Sequence, residues 1–194
     1  MPSKQKIPYP HGTFFITFTC YKWISILERG DAYDVVYNWF YILKLNGHYV
    51  NAYVIMPNHV HAIISFTSTP TSLNTMIGNG KRFMAYAIIQ KLKSKNDLEL
   101  LKQLSDAVSI SDKSRNKHHE VWQPSFDWKD CLSNYFVDQK LDYIHNNPCC
   151  GKWNLCTAPR DYVHSSARFY EEGIQGVYPV AHICEMEDID FIRM

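Results

Sequence analysis

Residues 48–66 read HYVNAYVIMPNHVHAIISF, two apolar, strand-like runs that meet at Pro57-Asn58. A proline followed by an asparagine is typical of a tight turn, so the two runs are predicted to form an antiparallel hairpin. Residues two apart on a strand face the same side, which places His59 and His61 next to each other while Val60 points into the core. This hairpin is predicted to be the centre of the fold.

Segments on either side of the hairpin show a clear hydrophobic period. Residues 13–20 alternate in the manner of a strand, and 31–46 repeat at helical spacing between a capping residue, Asp31, and Gly47. The remaining predicted elements are a helix at 72–92, a fourth strand at 120–126 and a helix at 134–147, which Pro148 ends. Their order predicts an α+β fold, a ferredoxin-like antiparallel sheet with helices packed on one face.

Composition narrows the class of protein. The chain has 194 residues with 46% hydrophobic and 20% charged residues, which is typical of a globular protein and excludes wholesale disorder. None of the six cysteines forms a Cys-x-x-Cys pair, and there is no 18-residue apolar run or signal-like start. We therefore expect a cytoplasmic protein with no membrane partner. Residues 1–150 are expected to form the main domain, and 151–194 an extension with an acidic tail.

Charge is unevenly distributed along the chain, although the net charge is only +1. Residues 81–95 contain five basic residues and no acid, whereas seven acids after position 160 face only Arg168 and Arg193. A basic helix in a nearly neutral chain indicates an anionic partner at one place. The alternative is an ordinary solvated helix face.

The last predicted helix carries a polar stripe and an apolar stripe. Tyr135, Gln139, Tyr143 and Asn147 follow each other at intervals of four, and Val137, Leu141 and Ile144 would dock the helix on the sheet. The histidine pair is able to bind a divalent ion if oxygen ligands complete the site, the alternative being two surface histidines. A nucleotide hydrolase would need a third histidine at position 63, which is isoleucine. That class is therefore excluded.

Two long segments resemble a known family. YVIMPNHVH at 53–61 and KLDYIHNNP at 140–148 closely resemble the single-tyrosine HUH transposases, in particular the REP-associated tyrosine transposases. VWQ at 121–123 and DYVHSSA at 161–167 resemble later landmarks of that group, so the resemblance covers nearly the whole chain.

The resemblance implies an HUH endonuclease fold in which the histidine strand is central and the tyrosine helix packs against it. His59, His61 and Asn147 match the family's metal ligands, for Mg²⁺ or Mn²⁺, and Tyr143 matches its nucleophile. The family cuts single-stranded DNA beside a hairpin through a covalent 5′-phosphotyrosine, without ATP. Many relatives have Val-Lys/Arg-Ala-Gly after the Asn-Pro pair, with a basic residue at its second position. Here CCGKW follows at 149–153, which puts that basic residue at Lys152.

The same chemistry is reasonable for these residue types. A tyrosine, whose pKa is near 10, is a poor nucleophile at pH 7 unless charge on the phosphate is neutralised. Lys140, one turn before Tyr143, is expected to stabilise the phenolate or a phosphate oxygen, the alternative being a solvated lysine beside Asp142. The predicted DNA contacts are Lys81, Arg82, Lys93, Lys140 and Lys152, with Lys113, Arg115 and Lys117 in a loop as further candidates.

Three other interpretations stay open at this point. The protein could be a non-cleaving relative that binds a DNA or RNA hairpin. It could also be a rolling-circle initiator or relaxase, which share the histidine pair and the tyrosine but usually have longer chains. Within the proposed site, Tyr135 is a rival nucleophile to Tyr143. The sequence leaves both a monomer and a homodimer open, and a bacterial, nucleoid-associated location is expected when DNA is bound.

Overall fold

Four antiparallel strands form the sheet in the computed structural model, which describes residues 6–189 and 191. The strands are β1 (Gly12–Thr19), β2 (Tyr49–Met56), β3 (His59–Phe66) and β4 (Asp127–Asp130), in the order β2-β3-β1-β4. The seven α-helices within the described residues are α1 (Ile26–Gly30), α2 (Tyr33–Leu45), α3 (Leu73–Ser94), α4 (Leu98–Asp106), α5 (Ile110–Lys113), α6 (Asn134–Asn146) and α7 (Ala167–Glu172). With α2 and α3 as crossovers, this is the predicted ferredoxin-like α+β fold.

The predicted hairpin is confirmed. β2 and β3 pair around Pro57-Asn58, and β3 lies between β2 and β1, so the histidine strand is central. A register shift between Val50 and Ala52 marks a bulge in β2.

The main core lies on one face of the sheet. Phe14, Ile16 and Phe18 of β1 and Val60 of β3 point towards the buried sides of α2 and α3. These are the alternating residues that the strand pattern predicts to face inwards.

The second face of the sheet is also covered, which differs from the prediction that helices pack on one face. Phe15, Val54 and Ile63 form a smaller apolar cluster there with Ile144 of α6. Because Phe15, Val54 and Ile63 are apolar, this part of the second face would expose a hydrophobic surface without α6.

The fourth strand is displaced from its predicted position at 120–126 to Asp127–Asp130. Trp122 forms only an isolated bridge with Cys20, and Pro124 together with the left-handed Ser125 (φ 75°) interrupts the extended chain. The apolar character of 120–126 reflects burial of Val121 and Trp122 in the core.

The boundaries of the three predicted helices agree closely with those of α2, α3 and α6, except at the start of α2. Ser72 and Ser133 cap α3 and α6, and α6 passes into a 3-10 turn at Asn147–Cys149 that contains Pro148. Asp31 does not cap α2 as predicted. Ala32 occupies the position directly before α2. Asp31 lies one residue before Ala32, in a left-handed conformation (φ 48°) that ends α1.

Residues after 150 lie along the free edge of β2. The backbone N–H of Ile55 donates to the His164 carbonyl (2.8 Å), and the Ser166 N–H donates to the Tyr53 carbonyl (3.0 Å). Covering an edge strand in this way removes a row of unpaired backbone groups. Part of the predicted acidic tail, Asp190 and residues 192–194, lies outside the described residues.

Within the described part of the chain, none of the helices combines the length and the apolar character needed to span a bilayer.

Candidate active site

β3 places two histidines beside each other on the face covered by α6. His59 and His61 are two residues apart, and their ring centroids are 4.7 Å apart at an angle of 73°. Both side chains are buried. Strand alternation alone accounts for their shared direction.

The hydrogen bonds of Asn58 determine which nitrogen of His59 carries its proton. The amide Nδ2 of Asn58 donates to the Trp23 carbonyl (2.7 Å), so Asn58 Oδ1 faces His59 Nδ1 at 2.6 Å as an acceptor. His59 Nδ1 is therefore the donor, and Nε2 keeps a free lone pair. Orientation of this kind is typical of histidines that bind metals.

His61 is held by β1. Its Nδ1 lies 2.6 Å from the hydroxyl oxygen of Thr17, its partner in the strand register, and its ring stacks on Phe15 at 5.5 Å. These contacts fix the imidazole plane before any ligand binds.

Burial keeps both imidazoles neutral. It lowers the pKa of His59 to about 4; the Lys152 charge acts in the same direction, while neighbouring Asn147 acts in the opposite one. The pKa of His61 is also lowered, first by burial, then by repulsion that a protonated His59 would exert on it and by the Lys140 charge. Neutral imidazole is the form that coordinates a metal.

α6 brings Tyr143 to the histidines. The Tyr143 ring centroid lies 4.9 Å from that of His61, while Val137 and Ile144 on the docked side of the helix are buried. Tyr143 keeps 48% of its surface exposed, so a phosphate could approach it. Tyr135 makes no ring contact with either histidine and is 74% exposed.

Asn147 provides a buried oxygen at the same place. Its Oδ1 is buried and has no hydrogen-bond partner among the described residues, although its side chain lies beside His59. A buried amide oxygen without a partner costs free energy unless a ligand satisfies it.

This donor set fits a divalent cation. No three His, Cys, Asp or Glu side chains converge anywhere in 6–189 and 191, so a third protein ligand beside the two histidines would have to be another residue type, and the buried Asn147 Oδ1 is one that fits. Two imidazole nitrogens and one amide oxygen, with positions left for water and phosphate, suit Mn²⁺ and are acceptable for Mg²⁺.

Two predicted DNA contacts lie at this site. Lys140 Nζ lies 4.9 Å above the Phe15 ring and 5.5 Å from the Tyr143 ring centroid. Lys152 is exposed, lies over Trp153 at 5.3 Å and is close enough to lower the pKa of His59.

The basic helix lies elsewhere, because α3 packs on the opposite face of the sheet from the histidines. Arg82 and Lys93 are exposed there. Lys81 is placed differently from the prediction of a phosphate contact. It is only 9% exposed, and its Nζ donates to the carbonyls of Gln123 and Ser125, so its charge is used inside the fold.

Sequence reasoning missed Thr17 and the orienting role of Asn58. Asn58 stands directly before the histidine pair and was detectable as a side chain able to fix a neighbouring imidazole. The role of Thr17 was not detectable from the sequence, because its contact with His61 depends on the register between β1 and β3.

Comparison with known proteins identifies the fold. No family model matches the sequence, and no curated protein matches it. A solved REP-associated tyrosine transposase, bound to a REP hairpin, superposes with a TM-score of 0.63 at 16% identity, covering 100% of this chain and 98% of that chain. A second solved chain, assigned as a transposase from Deinococcus radiodurans R1, gives a TM-score of 0.38 at 18% identity over 75% of this chain and 97% of its own. On the first comparison, this chain has the fold of a tyrosine transposase of the HUH type.

Proposed function

We propose that this protein is a metal-dependent transposase that nicks and joins single-stranded DNA beside a hairpin, with Tyr143 as nucleophile. The observation that carries the proposal is the meeting of His59, His61, Tyr143 and Asn147 at one point between β3 and α6. The solved transposase with the same fold was bound to a REP hairpin, which supports a hairpin as the substrate class here.

Each residue has a distinct role in the proposed reaction. His59, His61 and Asn147 would hold a divalent cation, with Asn58 and Thr17 orienting the two imidazoles. When bound, Mg²⁺ or Mn²⁺ supplies charge neutralisation at the scissile phosphate. The ammonium of Lys140, beside the Tyr143 ring, would stabilise the phenolate or a phosphate oxygen.

The proposed chemical step is a single displacement at phosphorus. The Tyr143 oxygen releases its proton to water and attacks the phosphorus; the bond to the 3′ oxygen breaks, and that oxygen takes up a proton. The new 5′-phosphotyrosine is a phosphodiester like the one that was cleaved. A second 3′-hydroxyl is therefore able to reverse the step and join strands without ATP.

The test uses hairpin oligonucleotides taken from the flanks of the gene. They are incubated with the protein in Mg²⁺, Mn²⁺ or chelator. A denaturing gel quantifies the covalent adduct, and a native gel measures hairpin binding. We expect a metal-dependent adduct that Tyr143→Phe abolishes without weakening binding. Tyr135→Phe is the matched control, because it removes the same hydroxyl two turns away on α6.

The alternatives give different results. An adduct lost in Tyr135→Phe and kept in Tyr143→Phe would move the nucleophile to Tyr135. Hairpin binding with no adduct in either metal would favour a non-cleaving hairpin-binding protein. An adduct that survives in chelator, or in His59→Ala, would reject the metal site.

A further inference from the structure

A large cavity lies outside the site described above. It has a volume of about 770 Å³ and is lined by residues of α3 and of the segment 115–126. α3 packs on the sheet face opposite to the histidines, so this cavity and the histidine site lie on different faces of the molecule. Its volume is in the range that holds a nucleotide-sized ligand.

The interior of the cavity is largely apolar and aromatic. Ala85 and Ile89 line it from α3, and Val121 lines it from the facing segment. The ring of Tyr86, which is 59% exposed, and the half-buried ring of Phe126 also contribute to its walls. Exposed aromatic rings of this kind are surfaces on which nucleic-acid bases stack.

The mouth of the cavity carries positive charge without a matching acid. Arg82, Lys93 and Arg115 line it and form no ion pair with any side chain that the structure describes. Glu120, an acidic residue that also lines the cavity, already forms an ion pair with Lys117 at 2.6 Å. Such a mouth attracts an anion such as a phosphate group.

The positive charges at the cavity also affect the pKa of His119, which lines the cavity. The pKa of His119 is lowered by burial and then by the charges of Lys93 and His118. His119 is therefore a neutral imidazole at pH 7, which is able both to donate and to accept a hydrogen bond at the edge of a base.

One wall of the cavity is connected to the strand beside the histidines. The backbone N–H of Gln123 donates to the Thr19 carbonyl (2.8 Å), and Thr19 pairs with His59 in the sheet. Adjacent strands are about 4.8 Å apart, so this wall lies roughly two strand spacings from the His59 backbone. A few nucleotides of single strand would span that distance around the end of the sheet.

We propose that this cavity binds an unpaired nucleotide of single-stranded DNA, with its base against Tyr86 and Phe126 and its phosphate held by Arg82, Lys93 and Arg115. The choice of DNA as the polymer rests on the proposed function, and the site itself rests on the combination of an apolar interior with an unpaired cationic mouth. It would hold DNA next to the hairpin while the other face carries out the chemistry.

The test measures binding of a fluorescein-labelled oligothymidylate, which forms no hairpin, in the presence of chelator. We expect Tyr86→Ala to weaken binding about tenfold, within the range found for loss of one stacked base. Arg82→Ala and Lys93→Ala should each lower the slope of log affinity against log salt by about 0.7. Tyr9→Ala and Lys44→Ala are matched controls, exposed residues outside the cavity that should change neither quantity.

Photocrosslinking locates the bound strand. A thiothymidine-substituted oligothymidylate should crosslink to the segments 82–93 and 115–126. Crosslinks confined to the region of Tyr143, or no binding by oligothymidylate, would overturn the proposal. Equal affinity for thymidine monophosphate would also overturn it, in favour of a free-nucleotide site. Because no metal or hairpin is present, a protein that binds here but forms no adduct would contradict only the proposed nicking activity.

Discussion

At the scale of single residues, Asn58 has the clearest consequence, because it fixes the tautomer of His59 through two hydrogen bonds. Replacing it with alanine leaves His59 free to rotate and to exchange tautomers. We expect Asn58→Ala to weaken Mn²⁺ binding about 10–100-fold, the usual cost of losing an orienting partner. Titration calorimetry with Mn²⁺ measures this directly.

The control for that change is Asn58→Asp, which keeps an oxygen acceptor for His59 Nδ1. It should retain most of the Mn²⁺ affinity. Equal affinity in the wild type and Asn58→Ala would show that orientation of His59 does not limit metal binding. Circular dichroism of both variants separates this effect from unfolding.

The second prediction for a single residue concerns the reactivity of Lys81 towards acylation. Its ammonium is buried against two backbone carbonyls, and burial lowers its pKa to about 8. A lowered pKa raises the fraction of the lysine present as the reactive free amine, but a buried amine is inaccessible to an acylating reagent. We therefore expect acylation at Lys93 in the native protein and at Lys81 only in urea, as read by peptide mass spectrometry.

The exposed lysine Lys44 provides the reference rate for that experiment. Acylation of Lys81 in the native state as fast as that of Lys44 would contradict its burial. Such a result would also restore Lys81 as a phosphate contact.

At the scale of elements, α2 and α3 meet at Gly80. A Cβ built at Gly80 would lie 2.7 Å from Trp39 Cδ1 and closer still to Nε1, so alanine there forces the two helices apart. We expect Gly80→Ala to lower the free energy of unfolding by about 1–3 kcal/mol, the usual cost of overpacking. Urea denaturation measures the change.

Gly78 is the matched control, two residues earlier on the same helix. A Cβ at Gly78 meets nothing within 4 Å, so Gly78→Ala should raise the free energy of unfolding by up to about 1 kcal/mol through helix propensity alone. If both variants shift stability in the same direction, Gly80 is not required by the packing of Trp39.

At the scale of the whole molecule, four buried histidines make stability depend on pH. Burial lowers the pKa of His59 and His145 to about 4 and also lowers those of His48 and His61, whereas histidines in an unfolded chain titrate near 6.5. Below pH 6.5 the unfolded state therefore binds more protons than the native state. Stability is fully present above that value and is lost as the pH falls towards 4.

The expected loss is about 3 kcal/mol for each histidine whose pKa falls from 6.5 to about 4. His145→Gln keeps a hydrogen-bonding partner for Ser166 without a titrating group, so its unfolding free energy should depend less steeply on pH. Urea denaturation between pH 4 and pH 7 measures the slope. An identical slope in the wild type and in His145→Gln would mean that His145 is protonated in the native protein.

The sequence by itself determined three of the four strands, the three longest helices and most of the candidate site. The order of strands and helices, the hairpin at Pro57-Asn58 and the shared direction of His59 and His61 follow from local rules of period and turn geometry. The helical spacing of Tyr143 and Asn147 likewise puts both on one side of α6. Local rules were sufficient there because each relation joins residues close together in the chain.

Only the tertiary structure decided relations between distant segments. It placed α6 on the second face of the sheet, covered the edge of β2 with residues after 150 and moved the fourth strand past Pro124. It also buried Lys81, which a charge pattern alone assigns to solvent, because two carbonyls from another segment accept its ammonium hydrogens. These outcomes depend on which surfaces meet when the chain packs, and no short stretch of sequence contains that information.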